Sequence, residues 1–402
     1  MTITRRKVLK GSSAVLLSSL AAPHILKAQA TEYVFGASLP MTGPYATAGQ
    51  LVAPVFKMFE VLTNQSGGIK GTPIRTFVED SGYVPQNALA NYQRAKAKEK
   101  NMVHYFGDST GFMKLVAPEL KGENAILMGS TSFSSDLANP SNNPYQYLAG
   151  PTYQDQFDII LQAIKAEGGK KVAFIYANNE FGRDPLEHGR KKAKELGIEV
   201  VLEESTKAQG ADIPTHVTKL AQSNAEYCIL QGYVTGVWPQ LIGGARKFGL
   251  PTKFMGTFWG MEKLVADKVT AQAGPFLDGY SGVMHYKYFY DRDQNSRYET
   301  YAAFAKKAFA GTPLENYLPT WALAGLCSLE MAKLAIEKTI EGGKDLSPDN
   351  LSASLGNIKN WDSGGFFGSN VDVVDNKIGV GRIYTYSAET KLFTPSSEWL
   401  AV

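Results

Sequence analysis

The stretch KVAFIYANNEFGRDPLEHGRKKAKELGIEVVLE, residues 171–203, contains one complete alternation of apolar and amphipathic segments. Its apolar, β-branched start predicts a buried strand over Lys171–Tyr176. The charged segment that follows has helical periodicity and predicts a helix over Arg183–Leu196, after which Glu199–Glu203 reads as a second strand. A strand, a helix and another strand in this order indicate two parallel strands joined by a crossover helix, the repeating unit of α/β sheets.

The same alternation extends in both directions along the chain. Further strands are predicted at Val34–Leu39, Ile74–Val78, Met102–Phe106, Ala125–Met128, Tyr227–Gln231 and Lys253–Gly256, and helices at 44–65, 85–100, 112–121, 213–222 and in the segment ending at Phe248. The polar, proline-rich segment Asn139–Pro151 divides the series in two, so we expect an α/β protein with two doubly wound, Rossmann-like lobes. Beyond them, Tyr298–Gly311 and Pro319–Glu341 predict long helices, and Gly364–Pro395 shows hairpin-like alternation.

Composition excludes several classes of protein. The chain has 402 residues, 44% hydrophobic and 20% charged, with a net charge of +3, which suits two ordinary globular domains and not a disordered chain. Residues 1–30 hold five basic residues and no acidic one, so the remainder carries 36 basic against 38 acidic side chains. This mildly acidic body gives no electrostatic reason to expect nucleic-acid binding.

The N-terminal 30 residues have the organisation of an export signal. A basic segment containing Arg5 and Arg6 precedes a short apolar stretch, Gly11–Ala22, and an Ala-Gln-Ala sequence ends at Ala30. The apolar stretch is too short to span a bilayer. The arginine pair resembles the twin-arginine signal, and an ordinary secretory signal is the alternative. We therefore expect cleavage after Ala30 and a periplasmic protein.

The two cysteines lie in apolar segments. Cys228 falls in a predicted strand and Cys327 in a predicted helix. A disulfide would be possible in an oxidising compartment, but two small buried thiols are the simpler interpretation.

Hydroxyl-rich loops follow two neighbouring strands of the first series. Gly107–Gly111 contains Ser109 and Thr110, and Gly129–Phe133 contains Thr131 and Ser132. Ligands of open α/β sheets bind beyond the carboxyl ends of the strands, where hydroxyls and unpaired N–H groups hold an anion. Helix capping explains either loop alone. Together they favour a carboxylate site.

Aromatic residues also recur at the strand ends. The five candidates are Phe133, Phe181, Tyr233, Phe258 and Trp259. Any one could pack against a neighbouring helix, but their corresponding positions in the two series favour an aromatic-walled cleft.

A catalytic alternative is open at Ser109. Gly107–Gly111 fits the G-x-S-x-G pattern of serine esterases, and His188, His216 and His285 follow it in the chain. No glycine-rich oxyanion segment precedes Ser109, and His188 and His216 fall in polar or charged helices, so we favour binding and not an enzyme. The histidines are scattered and no phosphate-binding or dinucleotide motif is present, so neither a metal nor a cofactor is expected.

Several segments resemble the leucine/isoleucine/valine-type periplasmic solute-binding proteins of ABC importers. They are Leu39–Pro44, Asn64–Gly71, Ala177–Gly182, Gln231–Tyr233 and Phe254–Gly256, and the likeness runs from Glu32 to the C-terminal region. The resemblance implies a type I periplasmic-binding-protein fold with a three-segment hinge. It implies an N-terminal lobe of 31–149 plus about 282–370 and a C-terminal lobe of 150–281 plus 371–402, which separates the two cysteines.

The resemblance also implies the ligand site and the partners. The ligand carboxylate would be held by two loops of the first lobe, Ser109–Gly111 (with Thr110 between them) and Thr131–Phe133. The aromatic residues Phe181 and Tyr233 would close over the ligand. We also expect Tyr153 to belong to the site. The expected partners are a small carboxylate ligand and an ABC permease in the inner membrane, with the binding protein itself a monomer. A ligand sensor with the same fold is the alternative.

One departure from the family bears on the ligand. Amino-acid binders of the family carry a carboxylate in the loop that matches Thr257–Gly260, which here holds Phe258 and Trp259 and no acidic residue, and Ala48 stands where a tyrosine is often found. An ammonium group would lack its partner, which favours an aromatic acid over an amino acid. Asp80, Asp155 or Glu262 could still supply a counter-ion.

Overall fold

The computed structural model describes residues 31–122, 125–208, 211–232, 235–312 and 314–402. The predicted export signal, residues 1–30, lies outside these ranges. Within them, no helix combines the length and the apolar character that crossing a bilayer requires.

The strands and helices alternate through most of the chain. The strands are β1 (Tyr33–Leu39), β2 (Ile74–Asp80), β3 (Met102–Gly107), β4 (Leu127–Ser130), β5 (Lys171–Ala177), β6 (Glu199–Thr206), β7 (Tyr227–Gln231), β8 (Lys253–Gly256), β9 (Ser281–Met284), β10 (Val380–Ser387), β11 (Leu392–Pro395) and β12 (Leu400–Ala401). The helices are α1 (Ala46–Gln65), α2 (Pro85–Lys98), α3 (Thr110–Val116), α4 (Tyr153–Ala166), α5 (Glu180–Arg183), α6 (Leu186–Glu195), α7 (Ile213–Ser223), α8 (Val237–Lys247), α9 (Lys263–Ala273), α10 (Arg297–Ala308), α11 (Thr320–Glu341) and α12 (Pro348–Gly356).

The strands form two separate sheets, one for each lobe. The first has the order β2-β1-β3-β4 and is entirely parallel. The second has the order β11-β10-β9-β8-β7-β5-β6, with β12 paired to β10. Strands β5 to β9 are parallel, whereas β10 is antiparallel to β9 and β11. Two α/β lobes are therefore present, as the strand–helix alternation predicted.

The last third of the chain serves both lobes. Helix α11 packs on α1 and β4 of the first lobe, and its side chains are buried almost throughout its first half. The chain then returns to the second lobe through β10. The Leu148 N–H donates to the carbonyl of Asn376 at 2.8 Å, which joins two of the crossing segments. We propose that the chain passes between the lobes near residues 150, 285 and 376. The second passage follows Met284, where β9 ends. The third follows Val371, which still pairs with Trp361 of the first lobe.

Local chemistry explains where the predicted helices were wrong. The helix expected over 183–196 is interrupted at Asp184 and Pro185, because proline has no N–H to continue the helical bonding. The helix expected over 112–121 ends at Val116, where a short 3₁₀ turn containing Pro118 follows. Helices α4, α9 and α12 and strand β9 were not predicted.

Both cysteines are free and buried. Cys228 lies in β7 of the second lobe and Cys327 in α11 of the first. The prediction of two buried thiols is confirmed.

Candidate functional site

The candidate site is a cavity between the two lobes, at the carboxyl ends of their strands. It is lined by Leu39, Pro40, Tyr45, Ala48, Gly49, Val52, Tyr83, Asp108, Ser109, Thr110, Thr131, Ser132, Tyr153, Phe181 and Trp259. About 30 Å³ is open to the centres of water molecules, which is room for about two waters. The lobes are therefore close together in this conformation.

The first lobe contributes a polar floor made of the two predicted loops. Ser109 caps α3, because its hydroxyl accepts the N–H of Phe112 at 3.2 Å. The hydroxyls of Thr110 and Ser132 are 2.6 Å apart, and the Thr131 hydroxyl donates to the carbonyl of Asp108 at 2.7 Å. The parallel pairing of β3 with β4 brings the two loops together. This confirms that they share one end of the sheet and gives a set of preorganised hydroxyls.

Asp108 adds a carboxyl group that the sequence analysis did not single out. Its side chain is buried and lines the cavity. The Ser81 hydroxyl donates to Oδ2, while Oδ1 makes no hydrogen bond. Burial raises the pKa of Asp108 to about 6, although the Ser81 and Ser109 hydroxyls act in the opposite direction. The floor thus contains an acidic group beside its hydroxyls.

Aromatic rings from both lobes form the walls. Tyr45 and Tyr83 of the first lobe lie against each other with ring centroids 4.1 Å apart. From the second lobe, Tyr153 lies 5.0 Å from Phe181 between ring centroids, and its hydroxyl accepts the indole N–H of Trp259 at 3.2 Å. Three of these rings, Tyr153, Phe181 and Trp259, were predicted.

Tyr45 and Tyr83 were missed, and the structure gives each a distinctive local position. Tyr45 immediately precedes α1, so a tyrosine does stand near the first turn although position 48 holds alanine. Tyr83 follows Gly82 after β2 and has a φ of 63°, a left-handed conformation that is uncommon for a residue other than glycine. Such strained residues cluster at binding sites.

Some predicted residues do not line the cavity. Phe133 and Phe258 are fully buried behind it, with ring centroids 5.3 Å apart, and both contact the ring of His285. Gly111 faces Pro85 of α2. Tyr233 lies outside the described residues. The position of an aromatic residue at a strand end does not determine whether its ring points into the cleft or beneath it.

The three proposed counter-ions also lie away from the cavity lining, and each has another structural role. Asp80 accepts the Thr42 hydroxyl at 2.8 Å and backbone N–H groups of the turn after β1. Asp155 forms a reciprocal capping pair with Thr152 at the start of α4. Glu262 is buried, and its carboxylate accepts the Thr320 hydroxyl at 2.7 Å, which joins the second lobe to the start of α11.

The geometry gives Ser109 no catalytic partner within the described part of the chain. The cavity lining contains no histidine. His188 instead pairs with Asp158 at 2.7 Å, and His285 lies in the aromatic layer behind the site. Across the described ranges, no group of three histidine, cysteine or acidic side chains is arranged to hold a metal ion. The Ser109 hydroxyl therefore acts as a helix cap in this arrangement.

A second set of contacts joins the lobes at the rim of the cleft. Asp184, between α5 and α6, accepts the Ser134 hydroxyl and the N–H of Ser135, the latter at 3.3 Å. We call these three residues the Asp184 clasp. Burial raises the pKa of Asp184 to about 6, against the effect of these hydrogen bonds. Beside the clasp, Lys114 of α3 donates to Glu180 of α5 at 3.2 Å.

Comparison with known proteins places the chain in a family. The model of the family described as periplasmic binding protein matches residues 32–391. The chain belongs to this family. An amino acid binding protein of Pseudomonas aeruginosa is 27% identical over 249 residues, which is 60% of this chain and 64% of that relative's length. The resemblance inferred from the sequence is confirmed.

Solved structures agree in fold. A branched chain amino acid ABC transporter protein from Thermus thermophilus with bound valine superposes with a TM-score of 0.81 at 21% identity, covering 92% of this chain and 97% of that one. A solute binding protein of an ABC transporter from Rhodopseudomonas palustris BisB5, in complex with 3,4-dihydroxy benzoic acid, has a TM-score of 0.74 at 18% identity and covers 92% and 98%. The type I periplasmic-binding-protein fold is thereby shown.

Proposed function

We propose that the protein is an extracytoplasmic substrate-binding protein of an ABC importer, which encloses a small carboxylic acid between its lobes and delivers it to a membrane permease. Family membership supports the class of function. The observation that carries the proposal is the cavity itself, where hydroxyl groups of one lobe face aromatic rings of the other. We propose a periplasmic location and a monomeric state with it.

The hydroxyl floor suits the carboxyl group of the ligand. Ser109, Thr110, Thr131 and Ser132 are buried at the carboxyl ends of β3 and β4. Hydrogen bonds to a charged group contribute about 1.5–3 kcal/mol each, so two or three of them offset much of the desolvation cost of a carboxylate. The Thr110–Ser132 pair can reorient toward the ligand because either hydroxyl can be the donor.

The aromatic walls suit an apolar, preferably aromatic, ligand body. Phe181 and Trp259 retain only 4% and 8% of their exposure, so the second lobe covers the ligand with apolar surface. Valine and 3,4-dihydroxy benzoic acid, which the two related structures hold, are both small carboxylic acids. We propose an aromatic acid as the preferred class, with apolar amino acids as the alternative.

Lobe closure would provide the rest of the affinity. Because the cavity has room for about two waters in this conformation, it must widen to admit and hold a ligand the size of valine. Contacts that the ligand makes only after closure then shift the equilibrium toward the closed form. A permease could distinguish the loaded protein by this shape.

A thermal-shift screen of aromatic acids, aliphatic acids and amino acids tests the proposal, followed by calorimetry on the best ligand. We expect about 2.7 kcal/mol of stabilisation at 100 times Kd. Thr110→Val should weaken binding about tenfold, whereas Ser141→Ala, at an exposed serine of the same lobe, should not. No stabilisation by any carboxylate, or equal effects of the two variants, would contradict the proposed site.

A further inference from the structure

Gln231, at the carboxyl end of β7, is a buried polar residue that the proposed function leaves unexplained. Its side chain is completely buried and makes two hydrogen bonds. Its Nε2 donates to the carbonyl of Phe181 at 3.0 Å, and its Oε1 accepts the hydroxyl of Thr257. Strand β7 lies between β5 and β8 in the second sheet, so one amide joins the segments that follow both neighbouring strands.

The chemistry of the two partners fixes the direction in which the amide points. The Phe181 carbonyl can only accept a hydrogen bond, so the NH₂ group of Gln231 must face it. The Thr257 hydroxyl then donates to the remaining amide oxygen, which satisfies every partner in a site without access to water. A carboxylate at position 231 would present an acceptor to the carbonyl, and an apolar side chain would leave both partners without a hydrogen bond.

The segment that carries Phe181 needs such a contact because its helix is short. Helix α5 has four residues, which is too few for a helix to be stable by itself. The Asn179 side chain caps it by accepting the N–H of Gly182 at 2.9 Å, and a Cβ at Gly182 would lie 1.9 Å from the carbonyl oxygen of Ala177. These contacts act within one loop, whereas the bond from Gln231 ties the Phe181 peptide to a different strand.

Trp259, another ring of the second lobe's wall, has separate supports. Its indole N–H donates to the Tyr153 hydroxyl at 3.2 Å. The turn that carries it is held by the Gln156 side chain, whose Oε1 accepts the N–H of Phe258 at 3.0 Å. Gln156 is as completely buried as Gln231, so two inaccessible glutamines hold different parts of this wall.

We propose that Gln231 is a positioning residue of the binding site, which holds the Phe181 peptide so that the ring meets the ligand when the lobes are closed. This inference rests on the proposed function and adds to the site a residue that is not part of the cavity lining. A ring that is fixed before binding loses less conformational entropy when the ligand arrives. Removal of the amide should therefore weaken binding through Phe181 and leave the contribution of Trp259 in place.

Double-mutant cycles test the inference by calorimetry on the purified protein. The probe is the tightest binder among benzoate, 3,4-dihydroxybenzoate, phenylalanine, leucine and valine. Gln231→Met keeps the length of the side chain without the amide and should weaken binding about tenfold. In a Phe181→Ala background the same change should weaken binding less than threefold, whereas in a Trp259→Ala background the factor should stay about tenfold. A role confined to general stability would give one factor in all three backgrounds.

Gln156→Met is the matched control, because it removes an equally buried amide from the same lobe. Its effect on affinity should be the same in the wild-type and Phe181→Ala backgrounds. Thr257→Val is the second variant if Gln231→Met does not fold: it removes the hydroxyl that orients the amide, and its effect on affinity should also disappear in the Phe181→Ala background.

Two outcomes would overturn the inference and leave the proposed function intact. One is wild-type affinity in Gln231→Met, and the other is an effect of that variant, or of Thr257→Val, that persists in full when Phe181 is alanine. Failure of all five acids to bind the wild-type protein would overturn the proposed function, and this inference with it.

Discussion

The Asp184 clasp should make ligand affinity depend on pH, and Asp184→Asn should remove that dependence. In the closed conformation, burial raises the pKa of Asp184 from its ordinary 3.8 to about 6. When the lobes separate, Asp184 loses Ser134 and Ser135 and regains water, so its pKa returns toward the ordinary value. The closed form therefore binds the proton more tightly than the open form, and the ionised carboxylate opposes closure.

The sign and the size of the effect follow from these two values. The contribution to closure is fully present below about pH 4, falls as the pH rises through about 6 and is absent above it. A shift of about two units corresponds to at most about 3 kcal/mol. Asp184 stays partly exposed and is flanked by α5 and α6 of its own lobe in either form, so solvent screening leaves about 1 kcal/mol, or about a fivefold change in Kd.

The assay compares wild type with Asp184→Asn at each pH from 4.5 to 7.5, using the tightest carboxylate from the screen. Asparagine keeps an acceptor for Ser134 without the charge, so the variant should bind about fivefold more tightly at pH 7.5 and by a clearly smaller factor at pH 4.5. The ratio of affinities is the measured quantity, because Asp108 titrates in the same range and cancels from it. Charged neighbours of the clasp include Lys114, which lowers the pKa of Asp184, and Asp136, which raises it. Asp362→Asn, at an exposed aspartate that is not among these neighbours, serves as the control with a wild-type profile. A variant that binds more weakly than wild type at pH 7.5, or a ratio independent of pH, would refute the reasoning.

Two further predictions concern the cavity wall and the lobe junction. Trp259→Ala should weaken ligand binding about 10- to 100-fold by calorimetry, because burial of a large side chain contributes about 1.5–3 kcal/mol. The control is Phe248→Ala, at an aromatic residue with 64% exposure. Equal affinities of the two variants for the ligand would contradict a role of Trp259 in the cavity wall. Glu262→Ala should lower the free energy of unfolding by about 2–3 kcal/mol in urea titration, because it leaves the buried Thr320 hydroxyl and a helix N–H without their acceptor. A loss below about 1 kcal/mol, or one matched by the exposed Glu389→Ala, would show that the junction does not depend on this carboxylate.

Much of the fold was predictable because the strand signal is local. Buried parallel strands such as β5 and β7 appear in the sequence as short apolar runs, and the charged helices between them have a different periodicity. Strand β9 and helix α9 were missed because their segments lack that contrast. Their structure depends on partners far along the chain, such as β10, which pairs with β9 across about one hundred residues.

The site was predictable only where strand ends determine it. Ser109 and Ser132 could be placed because neighbouring parallel strands bring their loops together. The direction in which each side chain points could not be predicted. For this reason Phe258 was expected in the cavity wall, whereas its ring is buried behind it. Asp108 and Tyr83 were missed because their significance lies in a carboxyl group buried at the cavity and a left-handed backbone, and the sequence records neither directly.

The return of the chain to the second lobe through β10 has a consequence for synthesis. Strand β9 of the second sheet gains its antiparallel neighbour only from Val380–Ser387, so a ribosome must translate nearly the whole chain before the second lobe can be completed. Until then β9 presents an unpaired edge, the kind of edge that invites association between chains. Contacts between such distant segments also form slowly. Folding of the second lobe should therefore be completed late in translation and benefit from a chaperone that covers that edge.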